Sequence, residues 1–216
     1  MPKFRDYITE KSVADWNRNK TASDIDNIDV PTVMLEKLKK DCKPYLKVAK
    51  KNGYVLWRGN EKEIGTMGKV KRRKDRRPLS MKKWIHDILN KLFYEKFGWK
   101  PRSEGVFAVT DQSSSWTYGK PYGFFPIGSY RYVWSPDVRD LWTDSTMFEV
   151  EIPGEPMTDK EMKIRGEEIL KSLMDRYTDK KLDWAMKSKG HEIMFDVDNY
   201  YLVNRNYVEY VREALL

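Results

Sequence analysis

Tyr54-Val-Leu-Trp-Arg-Gly-Asn60 is the stretch that decides the fold. Tyr54 to Trp57 are aromatic or branched apolar residues in a short continuous run, which predicts a buried strand ending at Arg58 and Gly59. Further on, Gly105-Val-Phe-Ala-Val-Thr110 reads as a second short strand, followed by a polar turn that carries Ser115, Tyr118 and Gly119. Late in the chain, His191-Glu-Ile-Met-Phe195 sets one carboxylate at the head of an apolar run. An arginine, a polar-aromatic turn and a lone glutamate, each tied to a strand, outline a site.

The segments around these strands supply helices and further strands. Pro31 suits the first turn of a helix whose apolar face is Val33, Met34, Leu35 and Leu38, with another turn at Tyr45, Leu46 and Val48. From Ser80 the spacing of Ile85, Ile88, Leu89, Leu92 and Phe93 predicts a helix that Gly98 ends, with His86 in a structural place beside the stripe. Thr158 and Asp159 can cap a helix through Ile169, Leu170, Leu173, Met174 and Tyr177. Phe124 to Ile127, Tyr130 to Trp134 and Met147 to Ile152 read as strands. In the last of these, alternation turns Glu149 and Glu151 to solvent. Glu192 to Phe195 and Asn199 to Val203 form a hairpin, and Tyr207 to Leu216 a terminal helix. Residues 1–30 read as a loosely docked arm, with one short helix before the acidic Asp24-to-Asp29 segment. The pattern is an α+β domain with a split, mainly antiparallel central sheet over residues 53–216, preceded by an N-terminal helical extension over residues 1–52.

Composition narrows the function classes. A chain of 216 residues, 40% hydrophobic and 13% aromatic, can bury a sizeable core and is not a disordered chain. Its single cysteine, Cys42, has no partner for an internal disulfide and reads as a small buried hydrophobe. No metal-ligand spacing is visible, and no N-terminal apolar stretch resembles a signal peptide or a membrane span, so the expectation is a soluble, cytoplasmic protein. Lys and Arg exceed Asp and Glu by 41 to 33, a net charge of +8 that favours anionic partners. The densest charge is Lys69-Val-Lys-Arg-Arg-Lys-Asp-Arg-Arg77, seven basic residues in nine, read as a loop. Lys69, Lys71, Arg72, Arg73, Lys74, Arg76 and Arg77 are the candidates for contacts with nucleic acid or with a pyrophosphate; a loop that merely keeps the chain in solution has the same composition.

Three separated motifs resemble those of the ADP-ribosyltransferase superfamily. Leu56-Trp-Arg-Gly59 is similar to the family's first-strand motif, in which an Arg or His precedes Gly. Gly105-Val-Phe-Ala with Ser115-X-X-Tyr118 resembles the polymerase branch's Gly-(Ile/Val)-Tyr-Phe-Ala followed by Ser-X-X-Tyr. Glu192, at the head of a late strand, takes the place of the catalytic glutamate. The resemblance covers about residues 53–205 and implies NAD as cofactor. It implies Arg58, Gly59, Phe107, Thr110, Ser115 and Tyr118 as cofactor contacts, with Ser115 and Tyr118 at the nicotinamide, and Glu192 as the catalytic carboxylate. Arg58 and Phe107 stand where the polymerase branch has His and Tyr, and Gly190 stands where the toxin-like branch has a second acid. The implied activity is therefore mono-ADP-ribosylation of a macromolecular acceptor, a protein or a nucleic acid.

The residue types suit that chemistry. Cleaving nicotinamide from ribose builds positive charge on the sugar, which a buried carboxylate can oppose. A guanidinium gives a fixed fork for phosphate oxygens, and a tyrosine ring a face for a flat heterocycle. The same residues also fit an Arg–carboxylate pair across the sheet and a core tyrosine. At the level of the whole chain, an NAD hydrolase and a non-enzymatic, basic nucleic-acid-binding or structural protein remain alternatives.

Overall fold

The central strand forms over Leu56–Asn60 (β2), with Leu56 fully buried. The computed structural model describes residues 25–28, 30–74, 81–141 and 158–216. Within them, β2 lies inside an eight-stranded sheet. From one edge the order is Ile25–Ile28 (β1), Met67–Lys71 (β3), Asn199–Asn204 (β8), Lys120–Pro126 (β5), β2, Val106–Val109 (β4), Glu192–Asp196 (β7) and Arg131–Trp134 (β6). Every neighbouring pair is antiparallel.

The sheet is split next to β2. On one side β2 pairs with β5 from Leu56↔Phe124 to Asn60↔Lys120, whereas it meets β4 only at Trp57↔Val109. The two parts then fold towards each other. Phe124 of β5 and Phe195 of β7 are three strands apart, about 14 Å in a flat sheet, yet their ring centroids are 5.1 Å apart. Phe124, Phe195, Tyr130 and Tyr200 fill the inner space with ring contacts of 5.1 to 5.5 Å.

Helices cover the outer faces. Pro31–Asp41 (α1) and Lys43–Lys50 (α2) lie over β5 and β8, with Tyr45 edge-on to Phe125 and the Tyr201 hydroxyl donating to Asp41. Pro31 and Pro44 sit at the first turns of their helices, where a missing N–H costs nothing. Arg205–Leu215 (α8) closes the same side, and Val208 reaches Gly123. Lys83–Phe97 (α3) and Asp159–Asp175 (α6) cover the other part. Ile85, Leu89, Phe93, Leu170 and Leu173 pack there with Val133 and Met194. Gly98, at φ 74°, ends α3 as its spacing predicts, and Thr158 with Glu161 forms a reciprocal capping box on α6. Three short helices, Pro101–Glu104 (α4), Gln112–Ser115 (α5) and Leu182–Ala185 (α7), complete the connections, α5 running on into a 3₁₀ turn at Trp116–Tyr118.

Two expectations change here. The acidic segment read as a loose arm supplies an edge strand, β1, whose backbone pairs with β3 from Ile25↔Val70 to Ile28↔Met67. Backbone pairing on one edge needs little from the side chains, so charge did not reveal it. The hairpin expected of Glu192–Phe195 and Asn199–Val203 does not form: β7 pairs with β4 and β6, and β8 with β3 and β5, so the two strands enter different parts of the split sheet. Met34, Leu38 and Tyr45 of α1 and α2 share one core with Leu56 and Phe124. The expected N-terminal helix and the strand with Glu149 and Glu151 lie outside the described residues.

Candidate functional site

Gly59 is the point where two of the three motifs meet. A Cβ built there would lie 2.3 Å from the Ser115 carbonyl oxygen, 2.6 Å from the Tyr118 carbonyl carbon and 2.8 Å from the Tyr118 Cβ. The turn that follows β4 is therefore seated directly on the β2 backbone, and only glycine leaves room. Gly119, at φ 116°, meets the end of β2 in the same way, its Cβ position 2.6 Å from the Asn60 carbonyl carbon. Tyr118 is 52% exposed, so it is not a core tyrosine. Ser115 is fully buried and donates to the Gln112 carbonyl at 2.7 Å, so it supports the turn from beneath.

Asp111, which the sequence reading passed over, organises this turn. It accepts from the Ser114 amide and hydroxyl, both at 2.8 Å, and from the Ser113 hydroxyl at 2.5 Å. Burial alone would raise its pKa, but these hydrogen bonds and the charge of Lys189 outweigh burial and hold it below the usual carboxylate range. The signal was present as an Asp, a favoured helix-capping residue, two positions before a short run of serines.

Glu192 opens β7 opposite Val109, which in turn pairs with Trp57. Glu192, Val109 and Trp57 thus form one row across three strands, about 10 Å from end to end. Residues in register share a face, as do residues two apart on a strand, so Gly59 and its seated turn belong to the Glu192 side. One carboxylate oxygen of Glu192, Oε2, is buried, and its amide donates to the Arg139 carbonyl at 3.1 Å. The turn before it is held on both sides. Thr110 donates its hydroxyl to the Ser188 carbonyl at 2.6 Å and accepts from the His191 amide. The His191 ring stands between the Pro136 carbonyl, 2.9 Å from Nε2, and the Ser188 carbonyl, 3.2 Å from Nδ1. Thr110 is thereby a lock on the turn that presents Glu192.

Arg58 leaves β2 on the opposite face. Its Nη1 donates to the Phe107 carbonyl of β4, and its guanidinium carbon lies 5.7 Å from the centre of the Tyr200 ring. Where the split leaves β4 without backbone partners on β2, this side chain supplies the hydrogen bond. Among the described residues Arg58 forms no ion pair, and its buried Nε has no acceptor. Phe107 presents its ring to Arg102, at 5.4 Å. Arg58 and Glu192 thus both adjoin β4, from different faces.

The basic segment is not one loop. Lys69 and Lys71 lie on β3, opposite Tyr201 and Asn199. Arg72 is half-buried, pairing with Asp196 and, at 3.1 Å, with Asp198, and also donating to the Glu104 carbonyl. It is therefore withdrawn from phosphate contact by carboxylates more than a hundred residues away in sequence. Lys74 stays exposed, 3.6 Å from Asp198, and Arg73 is exposed as well. Arg76 and Arg77 lie outside the described residues.

His86 is structural, as expected: it is buried and reaches Asn90 and Ser103 at 3.0 and 3.2 Å. No group of three or more metal-ligating side chains occurs among the described residues, and no described helix is long and apolar enough to cross a membrane. No protein-family model, curated protein or solved structure matches this chain.

Proposed function

We propose that this chain transfers ADP-ribose from NAD to a macromolecular acceptor and releases nicotinamide. The observation that carries the proposal is the seating of Ser115 and Tyr118 on Gly59, on the sheet side that also holds Glu192. Motifs that stand more than fifty residues apart in sequence meet there in the combination the chemistry needs.

The residues fit NAD in two ways. Tyr118 offers a half-exposed ring beside the β2 backbone for a flat amide-bearing heterocycle. Glu192 has a buried carboxylate oxygen, where a charge acts through little water. Arg58, on the opposite face and bonded to the Phe107 carbonyl, acts on this site only by tying β2 to β4. NAD supplies a glycosidic bond whose cleavage leaves positive charge on the ribose carbon. Glu192 opposes that charge and holds a ribose hydroxyl. Gly59 and Tyr118 wall the nicotinamide, Ser115 and Asp111 fix the wall, and Thr110 fixes the approach of Glu192.

The test is transfer of label from tagged NAD into a lysate, with the Glu192→Gln variant alongside, followed by protease or nuclease digestion. Removing a transition-state carboxylate should lower nicotinamide release at least 100-fold while leaving the fold intact. Label sensitive to one digestion identifies the acceptor class. Free ADP-ribose with no labelled acceptor would replace transfer by hydrolysis, and absence of nicotinamide release from folded protein would sink the proposal.

A further inference from the structure

The sequence directs attention to residues 69–77 for anionic partners, but the densest set of lysines outside ion pairs lies elsewhere. Between Lys37 and Lys51 there are seven lysines and one carboxylate, Asp41, which accepts the Tyr201 hydroxyl. Lys43, Lys47 and Lys50 recur at helical spacing on the outer face of α2, and Lys51 follows them. All four are exposed, and none forms an ion pair among the described residues. Elsewhere, lysines on α3 and α6 are balanced in part: Lys83 pairs with Asp87, Lys91 with Glu95 and Lys171 with Glu167.

The stripe runs about 10 Å along α2 and ends at two exposed rings. Tyr54 is 49% exposed and Trp184 59%. Asn52, just past α2, donates to the Asp183 carbonyl at 2.9 Å, which fixes α7 and Trp184 beside the end of the stripe. Lys181, in the left-handed conformation at φ 60°, sets its ammonium 4.3 Å from the Trp184 ring centre.

We infer that this face binds single-stranded nucleic acid, with the backbone phosphates along Lys43, Lys47, Lys50 and Lys51 and unstacked bases on Trp184 and Tyr54. Exposed rings beside a cationic track are what unpaired bases engage, and a duplex would keep its bases away from them. An anionic membrane fits less well, because the apolar face of α2, with Tyr45, Leu46 and Ala49, is already buried in the core and has nothing left to insert. The inference does not depend on the activity proposed for the Glu192 site.

The test is fluorescence anisotropy with labelled oligo-dT and oligo-U strands over a series of salt concentrations. Four phosphate contacts predict a log–log salt slope of about −3. The triple variant K43E/K47E/K50E should lose at least 10-fold in affinity, and Trp184→Ala about 10-fold. The milder Lys47→Gln should lower the steepness of the slope by about 0.7 and guards against misfolding of the triple variant. A control that reverses as many charges elsewhere, K91E/K160E/K163E, should stay within about threefold of the wild type. The inference fails if the control loses as much as the α2 variant. It fails equally if the intact chain binds neither strand, or binds phosphatidylserine vesicles in preference to both.

Discussion

Replacing Gly59 by alanine tests the packing on which the site is built. The added methyl would stand 2.3 Å from the Ser115 carbonyl oxygen, where an ordinary carbon–oxygen contact is about 3.4 Å. The next two obstacles, at 2.6 and 2.8 Å, are the Tyr118 carbonyl carbon and Cβ, which have no flexible end to swing aside. The turn must therefore recede by about 1 Å or β2 must bend, at a cost of about 1–3 kcal/mol for an overfilled contact. In a chain of 216 residues that corresponds to a fall in Tm of about 2–12 °C. Because the displaced atoms carry Tyr118, nicotinamide release should fall further than stability, by about 100-fold, since misplacements of about 1 Å have that effect on positioned groups. Gly128→Ala is the control. Gly128 also has a positive φ, 72°, but nothing lies within 4 Å of its Cβ position. It should cost about 1 kcal/mol through the backbone alone and leave turnover unchanged. Thermal melts and nicotinamide release on both variants decide the matter. If Gly59→Ala melts and turns over like wild type, the turn is not seated on β2 and the site as described does not exist.

Three further outcomes follow from individual groups. Asp196 joins Arg72 and Arg131; burial alone would raise its pKa, but both guanidiniums outweigh burial and hold it below the usual range. Its contribution is therefore full above the unfolded value of about 4 and is lost as pH falls through the lowered folded value. Urea unfolding should show Asp196→Asn about 2–3 kcal/mol less stable at pH 7, with the gap narrowing as the pH is lowered below about 4; a constant gap would refute the ionic account. Tyr45 accepts from the buried Leu56 amide at 2.9 Å, so Tyr45→Phe should cost about 1–3 kcal/mol in the same assay, and a neutral result would mean that the amide finds another acceptor. Cys42 is buried, with its thiol pushed far up by burial and then by Asp41, so a disulfide reagent at pH 8 should modify it only as fast as the chain unfolds. Rapid labelling of the folded protein would contradict that.

What the sequence disclosed was local. The Ile85-to-Phe93 spacing, the Gly98 stop and the Thr158 cap are each settled within about one helical length, and all form. The three site motifs were legible because each is a contiguous pattern. What they would do on folding was not, because it depends on distant partners. Arg72 looks like the other cations around it until Asp196, 124 residues on, is brought beside it. Lys69 and Lys71 read as loop because only Val70 lies between them, and their strand is defined by pairing with β1 and β8. Arg58 was weighed against a carboxylate partner, but a main-chain carbonyl, invisible in any pattern of side chains, is where it goes.

The single backbone pair between β2 and β4 explains why so many side chains gather around this junction. A continuous ladder would fix the two parts of the sheet by itself; one pair cannot. Arg58 crosses to Phe107, Gly59 and Gly119 admit the turn from Ser115 to Tyr118, and Thr110 ties β4 to the turn before Glu192. Asp111 adds a charge link, since it fixes the serine turn and faces Lys189 of the Glu192 turn. The relative position of Tyr118 and Glu192 is thus set by side-chain contacts, which can yield by fractions of an ångström, and not by ladder geometry, which cannot. A ligand that touches both therefore acts on the most adjustable joint in the sheet, and substitutions at Arg58, Thr110 or Asp111 should alter turnover more than they alter stability.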